Sequence, residues 1–78
     1  MNIRISNGKP RDNATVYNVS RPVYGSLTTL ESVGRIQQFD DVDVVTFIAT
    51  AGGQKSLASR DIAGWKYEIS QYLNLIGA

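Results

Sequence analysis

The chain contains no cysteine and no histidine in its 78 residues. Without cysteine it can form no disulfide, no thiol nucleophile and no cysteine-ligated zinc site. Without histidine it can build neither a Ser-His-Asp triad nor an imidazole base that works near neutral pH. We therefore expect no enzymatic activity, no bound metal and no other cofactor.

Long apolar runs and a strong net charge are also missing. Hydrophobic residues make up 42% of the chain, charged residues 19%, and the formal net charge is +1. This balance is too apolar for a disordered segment and too interrupted for a membrane protein. The length is about half that of a common 150-residue domain, which leaves room for one core. We expect a single domain over residues 1–78 with no membrane partner.

The start of the chain indicates a compartment. Residues 1–6 carry one positive charge but lack the apolar stretch of a secretory signal. A small domain without disulfides is also more typical of a reducing cytosol than of the cell exterior. We expect a cytoplasmic protein.

The last part of the chain has the clearest helical pattern. Apolar residues recur at spacings of three and four, at Ile62, Trp65, Ile69, Tyr72, Leu73 and Ile76. This stripe predicts a helix over about residues 60–76 that lies on a sheet. Asp61 is a good N-cap residue and Gly77 suits the position after the helix. Gly64 weakens the helix, which predicts a close approach to neighbouring backbone.

Strand patterns precede this helix. Residues 42–50 are rich in β-branched and aromatic types and predict a central strand. The following Gly52 and Gly53 predict a tight hairpin into a short strand at 55–58.

The first third of the chain has weaker strand patterns. Residues 2–6 and 14–21 alternate between apolar and polar types and predict two strands, joined through a turn at residues 7–10. Pro22 marks a strand end or an edge position, because proline has no amide hydrogen to donate.

Residues 28–38 fit two structures. Thr28 and Glu31 match a capping box for a short helix, whereas the β-branched Val33 and Ile36 also suit a strand. Either choice gives an α+β fold. It is a small two-layer domain with an antiparallel β-sheet of about four to five strands packed against the C-terminal α-helix.

The segment around the glycine pair resembles a phosphate-binding loop only superficially. Such a loop needs glycine directly before its Lys-Ser pair, and Gln54 stands there. A hairpin is the better interpretation, with a weak anion site left open at Gly52, Gly53, Lys55 and Ser56.

Three carboxylates crowd the approach to the predicted central strand, at Asp40, Asp41 and Asp43. A calcium loop would add further oxygen ligands and a glycine at fixed offsets, and these are missing. The pattern indicates a solvated turn or an acidic patch that contacts a protein.

Charge of opposite sign separates along the chain. Residues 1–38 hold five cations and two acids, whereas residues 39–78 hold three cations and five acids. The predicted basic contact residues are Arg4, Lys9, Arg11 and Arg21, with Tyr17 and Tyr24 as aromatic neighbours. Tyr67 points away from the helical stripe and is a further contact candidate.

By elimination, the sequence favours a non-enzymatic small binding module or inhibitor that occupies a surface on a larger protein or complex. Its size is that of phage and mobile-element proteins that counter host defences, such as anti-CRISPR proteins, which is an analogy of scale alone. The alternative is a small nucleic-acid-binding or regulatory module that uses the basic N-terminal half. A further hypothesis is a homodimer, in which an exposed edge strand near residues 14–20 pairs with the same strand of a second copy.

Overall fold

The computed structural model describes residues 2–25 and 28–77. It shows six strands followed by one helix. These elements are β1 (Arg4–Ile5), β2 (Lys9–Arg11), β3 (Ala14–Pro22), β4 (Leu30–Phe39), β5 (Val45–Ala49), β6 (Gln54–Leu57) and α1 (Ile62–Leu75). The strands form one antiparallel sheet with α1 against it, so the predicted α+β two-layer fold is confirmed.

From β2 to β6 the sheet is a meander, in which each strand pairs with the next one along the chain. Its order is β1-β3-β4-β5-β6, and β2 pairs with the same edge of β3 as β1 does. The longest pairing joins β3 to β4, from Ala14 opposite Phe39 to Pro22 opposite Leu30. The β3–β4 hairpin is therefore the longest paired unit of the sheet.

Alternating strand residues send their side chains to opposite faces, and α1 covers one of these faces. The core of this covered face consists of Ile3, Val19, Val33, Ile36, Val45, Phe47, Ala49, Leu57, Trp65, Ile69 and Leu73. Two edge-on aromatic pairs join the layers. Tyr17 meets Trp65 at a centroid distance of 5.1 Å, and Phe47 meets Tyr72 at 6.1 Å.

The helix begins and ends close to its predicted limits. Asp61 caps it, because its carboxylate accepts a hydrogen bond of 2.7 Å from the amide of Gly64. A Cβ at Gly64 would overlap the side chain of Ser59, so the close approach is to a side chain and not to backbone as predicted. Gly77 has the positive φ expected after a helix, at 73°.

A short helix over 28–38 is wrong, because β4 occupies this stretch between β3 and β5. Val33 and Ile36 are buried in the core across a register shift in the β3–β4 pair. Glu31, the presumed capping residue, instead accepts a hydrogen bond of 2.6 Å from Arg21 on the neighbouring strand. Sheet pairing on both sides has overridden a local helix signal.

Two strand boundaries also differ from expectation. The central strand starts only at Val45, with Val42 and Val44 exposed in the preceding turn. The predicted turn at residues 7–10 is partly strand, since β2 begins at Lys9 and the chain reverses after it at Asp12, whose φ is 54°. Aspartate tolerates this left-handed conformation better than most residues do.

The predicted edge strand at residues 14–20 is wrong, because β3 is an interior strand. It pairs with β4 on one side and with β1 and β2 on the other. The outermost strands are short and carry Lys9, Pro10 or Lys55, which are features that discourage edge-to-edge pairing. A homodimer stays a prediction, but its proposed edge does not exist.

Candidate binding surface on the open face of the sheet

The face of the sheet opposite α1 has no covering layer among the described residues. We call it the open face. The strand register places on it Arg4, Lys9, Arg11, Ala14, Val16, Asn18, Arg35, Gln37, Phe39, Thr46 and Ile48. It is therefore a mixed polar and apolar surface to which all six strands contribute, β6 through Ser56.

Four cations lie on the open face, namely Arg4, Lys9, Arg11 and Arg35. All four are exposed, and within the described residues none of them forms an ion pair. Elsewhere, Arg21 pairs with Glu31 at 2.6 Å and Arg60 pairs with Asp43 through both of its terminal nitrogens. Lys55 and Lys66 also have no ion pair in the described residues, so the open face holds four of the six unpaired cations.

A recess of about 560 Å³ lies between two of these cations. Arg11 and Arg35 line it together with Ala14, Val16, Gln37, Phe39 and Asp41. Phe39 lines this recess at the end of β4 and is 45% exposed. A second recess of about 130 Å³ is lined by Arg35 together with Asn18 and Ile48. Arg35 therefore lines two recesses of the same face.

Unpaired negative charge gathers at one end of this surface. Asp12, Asp40 and Asp41 lie in the turns that follow β2 and β4, and we call them the acidic tip. The two turns are adjacent, because the amide of Asp40 donates a hydrogen bond of 2.8 Å to the carbonyl of Asn13. None of the three carboxylates has an ion-pair partner among the residues described.

Asp43 differs from the other aspartates of its run. Its hydrogen bonds and ion pair with Arg60 lower the pKa of its carboxyl group and raise that of the guanidinium. Asp40, Asp41 and Asp43 line a separate recess of about 510 Å³ beside Thr15. In residues 2–25 and 28–77, no group of three or more acidic side chains is arranged to hold a metal ion.

Several predicted contact residues lie away from the open face. Arg21 is engaged by Glu31, and Tyr17 belongs to the covered face against Trp65. Tyr24 is fully exposed beyond the far end of β3, and Tyr67 is 68% exposed on α1. The basic and aromatic set predicted for single-stranded nucleic acid is therefore not assembled on one surface.

The residues of the weak anion site do not all face the same way. The amide of Gly52 donates a hydrogen bond of 3.0 Å to the carbonyl of Ala49 within the hairpin turn. Lys55 lies opposite Phe47 on the covered face, whereas Ser56 lies opposite Thr46 on the open face. Because strand neighbours alternate, these two side chains point to opposite faces of the sheet, and the anion site stays a prediction.

Asp12, Arg35, Gln37 and Phe39 were not among the predicted contact residues. The last three lie on β4, which overlaps the segment 28–38 that fitted both a helix and a strand. Pairing β4 with β3 as a hairpin would have placed Arg35 beside Asn18 and Phe39 beside Ala14. The Asp12-Asn13 dipeptide was a recognisable turn signal.

Within the part of the chain that the structure describes, no helix is long and apolar enough to cross a bilayer. In comparisons with known proteins, no family model matches the sequence, and no curated protein or solved structure gives a significant match. Functional inference therefore depends on the surface of this chain.

Proposed function

We propose that the chain is a non-enzymatic binding module that docks onto a larger protein through its open face. One observation carries this proposal: most of the charges that lack an ion pair among the described residues are segregated by sign. Four cations share the open face, and three carboxylates form the acidic tip at its end. Opposite charges on a rigid scaffold favour a single orientation of docking and suppress wrong ones.

The shape of the surface also supports contact with a protein. The recess is wide and open to solvent, and it joins a partly exposed phenylalanine to two arginines. Aromatic residues and arginine are enriched in the central contacts of protein interfaces. A strand-built surface is rigid, so little ordering entropy opposes binding.

At a finer level, we propose that the module acts in the cytoplasm as an inhibitor that masks part of a larger complex. Its size and single-domain layout match the small proteins that phages and other mobile elements use against host defences. This more specific proposal rests on the small size of the chain and on its docking surface. The capture experiment below would identify the partner.

The test is affinity capture with the immobilised protein in nuclease-treated lysate of cells that carry it. We expect a defined protein to be retained by the wild type. Arg35→Glu should release it, because this change reverses a charge at the centre of the open face. Lys66→Glu makes the same change in net charge on the exposed side of α1 and should retain it.

Loss of the captured protein from both variants, or from neither, would place the contact elsewhere and refute docking by the open face. Retained material that disappears with nuclease and depends steeply on salt would instead support the nucleic-acid alternative. Melting curves of both variants must match that of the wild type, so that release reports binding and not unfolding.

A further inference from the structure

We propose that the open face receives an acidic, extended protein segment that carries one apolar side chain. This inference rests on the proposed function and specifies the chemistry of its partner. Arg11 and Arg35 would bind carboxylates of the segment, and the apolar side chain would enter the recess beside Phe39.

The spacing of the cations fits an extended peptide. Arg11 lies in register with Ala14, and Arg35 lies in register with Asn18, four residues further along β3. With strands about 4.8 Å apart and a rise of about 3.4 Å per residue, their Cα atoms are about 17 Å apart. An extended segment covers this distance in about five residues. Planar guanidinium groups can bind such carboxylates through two parallel hydrogen bonds.

The base of the recess explains why an apolar side chain is needed. Ala14, Val16 and Phe39 line it between the two arginines. Ala14 is already buried, so the apolar surface that is still open to water belongs to the half-buried Val16 and to Phe39. A Leu-sized group placed beside these two residues would remove apolar surface from water, while the flanking charges fix its position.

The acidic tip limits how far an anionic chain can extend past Arg11, which favours a short acidic segment over a long nucleic-acid strand. Asp41 lines the same recess as Arg11, and Asp12 lines it too. Any anionic chain that continued past Arg11 would meet these like charges within a Debye length of about 8 Å, and a strand with a phosphate at every nucleotide would be repelled most. Phe39 is also a lone exposed ring on the described open face, whereas single-strand binding surfaces stack successive bases on several rings.

Three synthetic probes of matched charge test the proposal. The first is the blocked peptide Glu-Ser-Glu-Ser-Leu-Ser-Glu-Ser-Glu, whose glutamates and leucine share one side when extended. The second replaces its leucine by serine. The third is a thymidine pentanucleotide without terminal phosphates, which carries the same four negative charges as each peptide.

Binding is followed at low ionic strength by amide shifts of the isotope-labelled protein in two-dimensional NMR spectra. We expect the leucine peptide to shift amides of β2 and β4 and to bind at least about threefold more tightly than either other probe. No saturable shifts with this peptide, shifts confined to α1, or equal or tighter binding of the pentanucleotide would overturn the proposal. Equal binding of the serine peptide would refute the apolar contact.

Two variants locate the carboxylate contact. Arg35→Gln should weaken the leucine peptide about two- to fivefold, the range expected for loss of one exposed ion pair. Lys66→Gln removes the same charge from α1 and should leave the affinity unchanged. If the peptide fails to bind while Arg35→Glu still releases the captured protein, the partner's chemistry is wrong and the docking face stands. If Arg35→Glu releases nothing, the proposed function fails first.

Discussion

The two faces of the sheet are made from the same strands but contain different chemistry. On β4, Ile36 is fully buried on the covered face, while its neighbour Arg35 is exposed on the open face. The covered face meets α1 through aliphatic and aromatic side chains, and no charged or polar residue of the described chain is buried. The open face holds four unpaired cations, two of which, Arg11 and Arg35, line a recess.

This difference separates the residues that fold the domain from those that are available for binding. A domain of 78 residues buries a limited share of its surface, so the covered face has to supply most of its stability. The open face contributes less to stability and can carry several cations without ion-pair partners in the described residues. Substitutions on the two faces should therefore have separable effects, and the following changes test this.

The largest effect is expected at Trp65. Its ring is 4% exposed, contacts Tyr17 edge-on, and donates a hydrogen bond of 2.7 Å from Nε1 to the carbonyl of Ser59. Trp65→Ala should lower the free energy of unfolding by about 3–5 kcal/mol, because it leaves a cavity between helix and sheet. Urea denaturation followed by circular dichroism measures the change.

Tyr67 provides the matched control on the same helix. It is 68% exposed, so Tyr67→Ala should change the free energy of unfolding by no more than about 0.5 kcal/mol. Similar losses in the two variants would contradict the assignment of Trp65 to the layer that covers the sheet.

A second comparison uses adjacent residues of β4. Ile36→Ala should cost about 2–4 kcal/mol, because Ile36 lies between Tyr17 and Phe47 in the sheet register and is fully buried. Arg35→Ala should stay within about 0.5 kcal/mol of the wild type. Thermal melts of both variants check the contrast. Destabilisation by Arg35→Ala as large as that of Ile36→Ala would show that the open face is part of the folding core.

These contrasts also show what sequence patterns could predict. The helix was predictable because spacings of three and four require one buried stripe, and Trp65, Ile69 and Leu73 are its buried members. Its ends Ile62 and Ile76 are 47% and 40% exposed, since they extend beyond the sheet. The hairpin at Gly52 and Gly53 was predictable because glycine is the residue that adopts positive φ most easily. Both residues do have positive φ in the structure.

The open face was only half predictable. Arg4, Lys9 and Arg11 were identified as basic contact residues, but their partners on β4 were not. Residues 30–39 contain both a helical capping pattern and β-branched residues, and the decision between them depends on non-local pairing with β3 and β5. Arg21 was included because charge can be counted along a sequence, whereas its pairing with Glu31 depends on strand register.

The smallest effect on stability is expected from a comparison of two acidic residues, Glu68 on α1 and Asp41 at the acidic tip. The carboxylate of Glu68 accepts hydrogen bonds from the amides of Ala58 and Ser59, at 3.0 and 2.9 Å, and so ties α1 to the segment after β6. Asp41, at the acidic tip, has no such partner in the described structure. Neutralising Glu68 should lower the stability of the fold, whereas neutralising Asp41 should not.

Glu68→Gln should lower the free energy of unfolding by about 1–2 kcal/mol at pH 7, because both amides lose a charged acceptor. Asp41→Asn should remain within about 0.5 kcal/mol of the wild type.

The hydrogen bond from Ala58 is the main cause that lowers the pKa of Glu68 below its ordinary value of 4.5. The carboxylate's contribution is thus complete above that value and is lost as the pH falls through the lowered pKa. Urea denaturation between pH 7 and pH 3 should therefore show the deficit of Glu68→Gln shrinking below pH 4.5, the ordinary value. A deficit that stayed constant with pH would mean that Glu68 stabilises the fold by packing and not by its charge.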